Sequence, residues 1–377
     1  MPHIFVRLLI FMYMQQSCKV RWNQSYSDSF SIVNGVRQGA VLSPSLFSLY
    51  IDKLLLDLQS SGLGCNVGNY FYGASAYADD IILLSPTRSG LQDMFNMCFD
   101  YFKDHDITIS TNPDPAKSKT KCIFFPYGKQ DLAPSPIFMG EKELPWVDSW
   151  PHLGNNIHRN DFAYPGNGSF SHDLLVKRGS FIGKFHGIFQ EFGFSDPYVL
   201  MRLVHIYATS FYGSQLWDFS SMEAEKLFTS WNILVRTVFN VPNTTHRYFI
   251  ESLTQSVHLK TILFKRYLTF VHSISNSEKN SLSSLAKKVI GDNGSMTCQN
   301  LAVISQCTDC DNVLGMSPSE VVNGMQYAPI PPDEEWRVAF LHELLEIRKN
   351  ELELDWSDDV GLSLDQLDDL IAFVATS

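Results

Sequence analysis

The chain has 377 residues, of which 45% are hydrophobic and 13% aromatic. This composition excludes an intrinsically disordered protein and supplies enough apolar surface for about two or three folding units. The formal net charge of −11 is unusual for a protein that contacts nucleic-acid phosphates. However, residues 333–377 hold 13 Asp and Glu against 3 Lys and Arg, which leaves a net charge of −1 for residues 1–332. The acidity therefore belongs to the carboxy-terminal segment.

Residues 1–14 are mostly apolar, but they do not have the pattern of a signal peptide. Arg7 interrupts the run, a basic start and a small-residue cleavage site are missing, and the run is too short to span a bilayer. We expect a buried helix here, followed by a hairpin in which the polar run 25–29 joins the extended segments 19–22 and 30–33. Since no later stretch resembles a membrane span, we expect a soluble, intracellular protein without a membrane partner.

An adjacent pair of carboxylates, Asp79 and Asp80, is predicted to lie at the tight turn of a hairpin. The residues before the turn and the apolar run Ile81–Leu84 after it are typical of two buried strands. Successive side chains of a strand point to opposite faces and buried unpaired charge is costly, so the pattern favours a positive partner. Mg²⁺ is the cation that takes carboxylate oxygens and substrate phosphates together. Taken alone, the pair also fits an ordinary solvated turn.

Apolar periodicity predicts a series of helices on both sides of this hairpin. The first begins near Pro44 and runs to Leu58, and the next extends to Phe102 with either Ser89 or Thr87 as its cap. Between residues 126 and 165 the frequent Pro, Gly and aromatic residues favour short strands and turns. Further helical patterns then occupy four segments, which are residues 172–192, a helix that begins at Asp196-Pro197, residues 222–239 and residues 258–274.

Three motifs, in their order and separation, resemble the palm of a reverse transcriptase of the non-LTR (LINE-like, jockey/RTE-type) retrotransposon group. They are Asn-Gly-Val-Arg-Gln-Gly at 34–39, Tyr-Ala-Asp-Asp at 77–80 and Asn-Pro-Asp-Pro-Ala-Lys-Ser-Lys at 112–119. The resemblance implies an α+β fold, in which an antiparallel palm sheet with helices on one face precedes an all-helical thumb-like region and an acidic helical tail. The expected segments are 1–165 for a partial palm, 166–275 for the thumb-like region, 276–332 for an irregular linker and 333–377 for the tail.

The resemblance also implies roles for individual residues. Asp79 and Asp80 match the catalytic carboxylates that bind metal, with Asp79 the better match for direct coordination, and Lys119 matches the residue that acts on the leaving pyrophosphate. The matches for nucleotide and template binding are Arg37, Gln38, Gly39 and Tyr77, and those for the primer grip are Leu153 and Gly154. Taken singly, Gln38-Gly39 also fits an ordinary loop, Lys119 a solvated charge and Leu153-Gly154 a strand end.

The activity implied is that of an RNA-directed DNA polymerase, a nucleotidyltransferase that uses two Mg²⁺ ions, an RNA template, a DNA primer and deoxynucleotides. The family has a further catalytic Asp on a strand before the Arg-Gln-Gly loop, whereas the acidic residue available here is Asp28, in a turn-like polar run. We therefore expect a chain truncated at its amino end and inactive alone. One alternative is a non-catalytic nucleic-acid-binding or interaction protein, and another is a palm enzyme that recruits Asp28 or Asp52 as the missing carboxylate.

Two further patterns leave alternatives open. The seven scattered cysteines indicate reduced thiols; Cys307 and Cys310 have zinc-knuckle spacing with Cys298 nearby, but a fourth ligand is missing, which favours a loop over zinc. In the thumb-like region the cations either contact a primer/template backbone or belong to a solvated helix face. These cations are Lys177, Arg178 and Lys184.

Overall fold

The computed structural model describes most of the chain, in two compact units. The described residues are 2–32, 35–37, 39–112, 114–126, 135–159, 171–245, 258–308, 310 and 312–323. Within them, the first unit comprises the residues up to 122 together with 135–146, and the second comprises 123–126 and the residues from 147 onward. The predicted acidic tail lies outside the described residues.

The described part of the first unit combines helices with short antiparallel strand pairs. Its helices are α1 (His3–Met14), α2 (Ser43–Ser60) and α3 (Arg88–Asp104). Its strands are β1 (Ser17–Cys18), β2 (Arg21–Trp22), β3 (Ser25–Tyr26), β4 (Phe30–Ser31), β5 (Asn66–Val67), β6 (Tyr70–Phe71), β7 (Ala74–Tyr77), β8 (Asp80–Leu83), β9 (Ile137–Met139) and β10 (Lys142–Leu144). The antiparallel pairs are β1 with β4, β2 with β3, β5 with β6, β7 with β8 and β9 with β10.

Helices α2 and α3 form the main core of the first unit. Their apolar residues recur at helical spacing, and one face of each helix is buried where the two helices meet the β7–β8 hairpin. The buried residues of this core are Ile51, Leu54, Leu58, Met94, Cys98 and Phe102. Full burial of an aliphatic or aromatic side chain stabilises a fold by about 1.5–3 kcal/mol. This core therefore fixes the position of the hairpin that carries the carboxylate pair.

The described part of the second unit contains one strand pair and a set of helices. The strands β11 (Ser149–His152) and β12 (Asn155–His158) pair in antiparallel register, with His152 opposite Asn155. The helices are α4 (Ser171–Phe192), α5 (Pro197–Tyr207), α6 (Met222–Val238), α7 (Leu259–Ser275), α8 (Asn280–Ile290), α9 (Met296–Thr308) and α10 (Pro318–Asn323). Their core is strongly aromatic. Its largest fully buried side chains are Trp217, Trp231, Tyr267, Phe181, Phe185, Phe219 and Phe264.

The helices predicted by apolar periodicity are confirmed. Of the two candidate caps of α3, Thr87 is the one used, since its hydroxyl oxygen accepts a hydrogen bond from the Gly90 backbone N–H at 3.1 Å. The carboxylate of Asp196 accepts from the backbone N–H of Tyr198, which caps α5 as its Asp-Pro sequence indicates. The α+β class is confirmed as a mixture of helices and small antiparallel strand pairs. In the described residues, however, these strands form six separate pairs and not one sheet.

Other predictions differ from the structure. The amino-terminal hairpin turns at residues 23–24, between β2 and β3, and not at 25–29, because Asn23 adopts the positive φ of +55° that a tight turn requires. Helix α1 is present but none of its residues is buried. The segment 276–332, predicted to be irregular, contains helices α8, α9 and α10 in its described part. No described helix is both long and apolar enough to cross a bilayer.

Candidate nucleotide and primer site

The carboxylate pair lies at a two-residue hairpin turn. Tyr77 at the end of β7 is paired with Asp80 at the start of β8, so Ala78 and Asp79 form the loop. Ala78 has a φ of +52°, in the left-handed region that costs an L-residue about 1–2 kcal/mol. Backbone strain of this kind persists only where the surrounding structure imposes it, and it is frequent at functional sites. The predicted tight turn is therefore confirmed.

Every second side chain of the two hairpin strands faces the helical core. Ala74, Ala76, Ile81 and Leu83 pack against the core formed by α2 and α3. The alternation of a strand places their neighbours on the other face, where Tyr77 is 68% exposed. The strand side chains are partly buried or exposed, in contrast to the two buried strands that were predicted.

Both Asp79 and Asp80 are exposed at the turn. Among the residues that the structure describes, neither carboxylate forms an ion pair with a basic side chain. The two carboxylates are therefore exposed and not buried as unpaired charges, and a positive partner for them stays a prediction. Two exposed oxygen donors next to each other are nevertheless available to a hard cation such as Mg²⁺.

The predicted nucleotide-binding loop precedes α2. The carbonyl oxygen of Arg37 accepts hydrogen bonds from the Ser43 hydroxyl at 2.6 Å and from the Ala40 N–H at 3.2 Å, which closes a tight turn at the start of the helix. Gly39 has a φ of +79°, a conformation that glycine adopts without strain. The Arg37 side chain is exposed, and Gln38 lies outside the described residues. The backbone of the loop is thus ordered by its own hydrogen bonds.

Lys119 lies in a loop that is organised by its neighbour. The buried Ser118 hydroxyl accepts a hydrogen bond from the Asn112 N–H at 3.2 Å and donates one to the Thr120 carbonyl at 2.6 Å. The Lys119 side chain is exposed, and within the described part of the chain it forms no ion pair with Asp79 or Asp80. A phosphate group would therefore find this ammonium group accessible.

The predicted primer-grip residues form a second tight turn, which belongs to the second unit. Leu153 and Gly154 connect β11 to β12 with φ angles of +46° and +80°. Positive φ at both central residues defines the type I′ turn that two-residue hairpins favour. Leu153 is 38% exposed at the tip. The segment is thus a hairpin, as the resemblance implied, and not the alternative strand end, and its turn projects an apolar side chain.

Side chains of α4 hold this second turn in place. The Lys177 ammonium donates a hydrogen bond to the Gly154 carbonyl at 2.8 Å. One helical turn earlier, the buried carboxylate of Asp173 accepts from the Asn156 backbone N–H at 3.0 Å and from the Asn156 side-chain amide at 3.2 Å. Its other oxygen accepts from the Trp217 indole N–H at 2.9 Å. Asp173 therefore links the hairpin to α4 and to the aromatic core.

Sequence reasoning did not identify Asp173, and it assigned Lys177 only to a backbone contact with nucleic acid or to a solvated helix face. An Asp in the first turn of a helix is common because it favours the helix dipole, so Asp173 carried no distinctive signal. Both contacts join residues far apart in the chain, which local patterns do not reveal. Of the other predicted cations, Arg178 donates to the Ser230 hydroxyl at 2.9 Å, which indicates a role in packing.

The described residues contain no group of three or more His, Cys, Asp or Glu side chains placed to hold a metal ion. Asp28 and Asp52 thus do not complete a cluster with the carboxylate pair. The three cysteines considered for zinc are free thiols. Cys298 and Cys307 lie within α9 and not in the predicted loop, and the Cys310 thiol contacts the Met316 sulfur at 3.3 Å.

Comparisons with known proteins match the part of the chain that contains these turns. The family described as reverse transcriptase (RNA-dependent DNA polymerase) matches residues 2–154, a range that includes both hairpin turns. The chain is 34% identical over 142 residues to the retrovirus-related Pol polyprotein from type-2 retrotransposable element R2DM of Drosophila melanogaster, a match that covers 35% of this chain and 12% of the relative.

Two other relatives match over shorter segments. The Pol polyprotein from type-1 retrotransposable element R2 of Nasonia vitripennis is 32% identical over 127 residues, which is 32% of this chain and 12% of the relative. The transposon TX1 uncharacterized 149 kDa protein of Xenopus laevis is 39% identical over 83 residues, which is 22% of this chain and 6% of the relative. The chain thus spans about an eighth or less of the length of these relatives.

Proposed function

Because residues 2–154 are a segment of non-LTR reverse transcriptase sequence, as the three motifs predicted, we propose that the chain contributes to RNA-directed DNA synthesis. Its proposed partners are an RNA template, a DNA primer and deoxynucleotides. In this proposal residues 1–165 are part of a polymerase palm and residues 166–275 are a thumb-like region.

One observation carries the proposal: an exposed pair of carboxylates at a strained hairpin turn lies inside the reverse transcriptase match. Exposed adjacent carboxylates repel each other, whereas the positive φ of Ala78 is the conformation that a two-residue hairpin loop favours. A metal-binding role accounts for the carboxylate pair, because the turn then presents two oxygen donors to one ion.

The donor chemistry of Asp79 and Asp80 fits Mg²⁺, which combines one or two protein carboxylates with water and phosphate oxygens. When bound, the ion supplies positive charge to the attacking and departing oxygens of nucleotidyl transfer. A second metal ion calls for a further carboxylate, and the described residues do not supply one at this turn. The proposal therefore assigns two of the metal ligands to this chain and derives no complete two-metal site from it.

The remaining predicted residues have distinct proposed tasks. The exposed Lys119 ammonium neutralises phosphate charge of the leaving group. The turn at Arg37 and Gly39 lets the backbone approach the incoming nucleotide closely, since glycine has no side chain to prevent it. Leu153 and Gly154 contact the primer strand. Each task requires a solvent-exposed group. The residues with these tasks that the structure describes are all exposed, namely Arg37, Gly39, Lys119, Leu153 and Gly154.

One observation favours the alternative of a non-catalytic nucleic-acid-binding protein. The absence of a three-ligand metal cluster in the described residues leaves polymerase chemistry dependent on a further carboxylate. In that case Mn²⁺ would not bind at Asp79 and Asp80, while nucleic-acid binding would keep a salt dependence set by the cationic side chains.

The test measures Mn²⁺, a spectroscopic substitute for Mg²⁺, by electron paramagnetic resonance in the presence and absence of a primer/template hybrid. We expect the purified chain to bind Mn²⁺, and the double variant Asp79→Asn, Asp80→Asn to lose that binding. Asp93→Asn, which removes an exposed carboxylate from α3, is the matched control and should bind as the parent protein does. Equal Mn²⁺ binding by all three proteins would refute the metal assignment.

A further inference from the structure

The primer-grip turn has an unexplained neighbour, the aromatic ring of Tyr212. A Cβ atom added to Gly154 would lie 3.1 Å from Cε1 and 3.3 Å from Cδ1 of Tyr212, so the ring rests directly against the bare backbone of the turn. Glycine at this position thus leaves room for the ring as well as adopting the positive φ. The type I′ turn and the ring form one continuous surface within the second unit.

The loop that presents Tyr212 is firmly anchored on both sides. Phe211 is buried, and its ring lies 5.4 Å from that of Phe181 and 5.6 Å from that of Trp217. Gly213 has a φ of +83° and lies beneath the Asn155 side chain of the hairpin, whose Oδ1 would be 1.6 Å from an added Cβ. The backbone on either side of Tyr212 is therefore fixed by packing.

The Tyr212 side chain nevertheless remains 62% exposed. Within the described residues it forms no hydrogen bond and stacks on no other aromatic ring. Exposed tyrosines are common on protein surfaces, but this ring is held by a buried loop beside a turn that is itself held by α4. A rigid, exposed aromatic ring loses little conformational entropy when a planar group stacks on it.

The charge beside the ring indicates which planar group fits. The Lys177 ammonium is bound to the Gly154 carbonyl at 2.8 Å, and no ion pair with a described carboxylate neutralises it. The Asp173 carboxylate is buried and occupied by Asn156 and Trp217. An aromatic ring and an unneutralised cation that contact the same glycine match a nucleotide, with its flat base and anionic phosphate.

We propose that Tyr212 is a stacking platform for one base of a single-stranded nucleic acid, and that the Leu153–Gly154 turn and Lys177 hold the adjoining backbone. This inference rests on the proposed function and extends it, because it adds a residue outside the reverse transcriptase match of residues 2–154. Tyr212 thereby acts as a positioning residue for the end of a strand at the hairpin turn.

The test uses the full chain and a single-stranded oligonucleotide that carries 2-aminopurine, whose fluorescence is quenched by stacking. Base stacking on an aromatic side chain strengthens the binding of a nucleic-acid strand, so Tyr212→Leu should weaken binding about tenfold and relieve the quenching. Tyr212→Phe keeps the ring and should behave as the parent protein does. Tyr207→Leu is the matched control, because Tyr207 is 63% exposed on α5 and should not affect binding.

Three outcomes would overturn the inference. If the parent chain binds the oligonucleotide and Tyr212→Leu binds it equally well with unchanged quenching, the stacking role is refuted while the proposed function stands. If Tyr212→Phe loses as much affinity as Tyr212→Leu, the hydroxyl group and not the ring is responsible. If the parent chain binds neither this oligonucleotide nor a primer/template hybrid, the proposed function fails and the inference fails with it. Circular dichroism verifies that each variant is folded.

Discussion

The buried carboxylate of Asp173 provides a quantitative test of how the β11–β12 hairpin is held. Asp173→Ala removes the acceptor of three hydrogen bonds, two from Asn156 and one from the Trp217 indole. Trp217 is only 1% exposed, so water cannot replace that acceptor, and an unsatisfied buried donor costs about 1–3 kcal/mol. The half-buried Asn156 can be rehydrated, so its two bonds contribute about 0.5–1 kcal/mol each.

These contributions predict that Asp173→Ala destabilises the second unit by about 3 kcal/mol. Asp173→Asn should cost about half as much, because the amide keeps one acceptor oxygen and the original size but turns an N–H group toward a donor. Asp148→Ala is the control. It removes an exposed carboxylate, next to the same hairpin, whose ion pair with Arg159 spans 3.2 Å, and exposed pairs contribute about 0–1 kcal/mol.

Hydrogen exchange measured by mass spectrometry suits this test, since it reports the free energy of opening for separate segments. Peptides from α4 and β12 should lose protection in the order Asp148→Ala, Asp173→Asn, Asp173→Ala, while peptides from α2 and α3 in the first unit should not change. A loss below about 1 kcal/mol in Asp173→Ala would refute the reasoning, because the hairpin would then be held by other contacts.

Two further predictions concern packing and thiol chemistry. Gly213→Ala places a Cβ 1.6 Å from Asn155 Oδ1 at a φ of +83°, so it should destabilise the protein by about 3 kcal/mol. Gly179→Ala, on the open face of α4, should stabilise it by about 0.5–1 kcal/mol. Midpoints of urea unfolding that move in the same direction would contradict one of these two predictions. Burial raises the pKa of Cys98 and Cys122 from 9.0 to about 12, so both thiols stay protonated and unreactive in the folded protein well above neutral pH. Mass spectrometry should therefore show that iodoacetamide modifies the exposed Cys18 before Cys98 or Cys122. The free energy of unfolding should fall as the pH rises above 9.0, because the two thiols ionise in the unfolded protein before they ionise in the folded protein.

Local patterns predicted much of this structure where one segment determines its own conformation. Apolar spacing gave the helices from α2 to α7, and the motif order led to both hairpin turns. The same reasoning failed at α1, where apolar residues predicted burial but every residue is at least partly exposed. Burial depends on which other residues are available to cover a helix, and the sequence of the helix itself does not contain that information.

The support of the second turn was beyond sequence reasoning for a related reason. Asp173 and Trp217 are 44 positions apart, and Tyr212 meets Gly154 across more than fifty residues. Such contacts arise from the packing of α4 against the hairpin and the aromatic core, which no short segment determines. The pairing of β1 to β4 was also predicted incorrectly. Both Asn23 and the polar run 25–29 favour a turn, and the chain adopts the tighter one, at residues 23–24.

Each of the two candidate turns contains a strained non-glycine residue with a positive φ, Ala78 in the first turn and Leu153 in the second. The turns differ in the contacts that stabilise them. The carboxylate turn is fixed by the packing of its strands alone, and its charged side chains are exposed without partners in the described residues. The Leu153–Gly154 turn is additionally bound by side chains of α4. A metal ion must therefore order the carboxylates when it binds, whereas a nucleic-acid strand meets a surface that is already ordered. It follows from the proposed function that strand binding at the second turn should persist when the metal is removed.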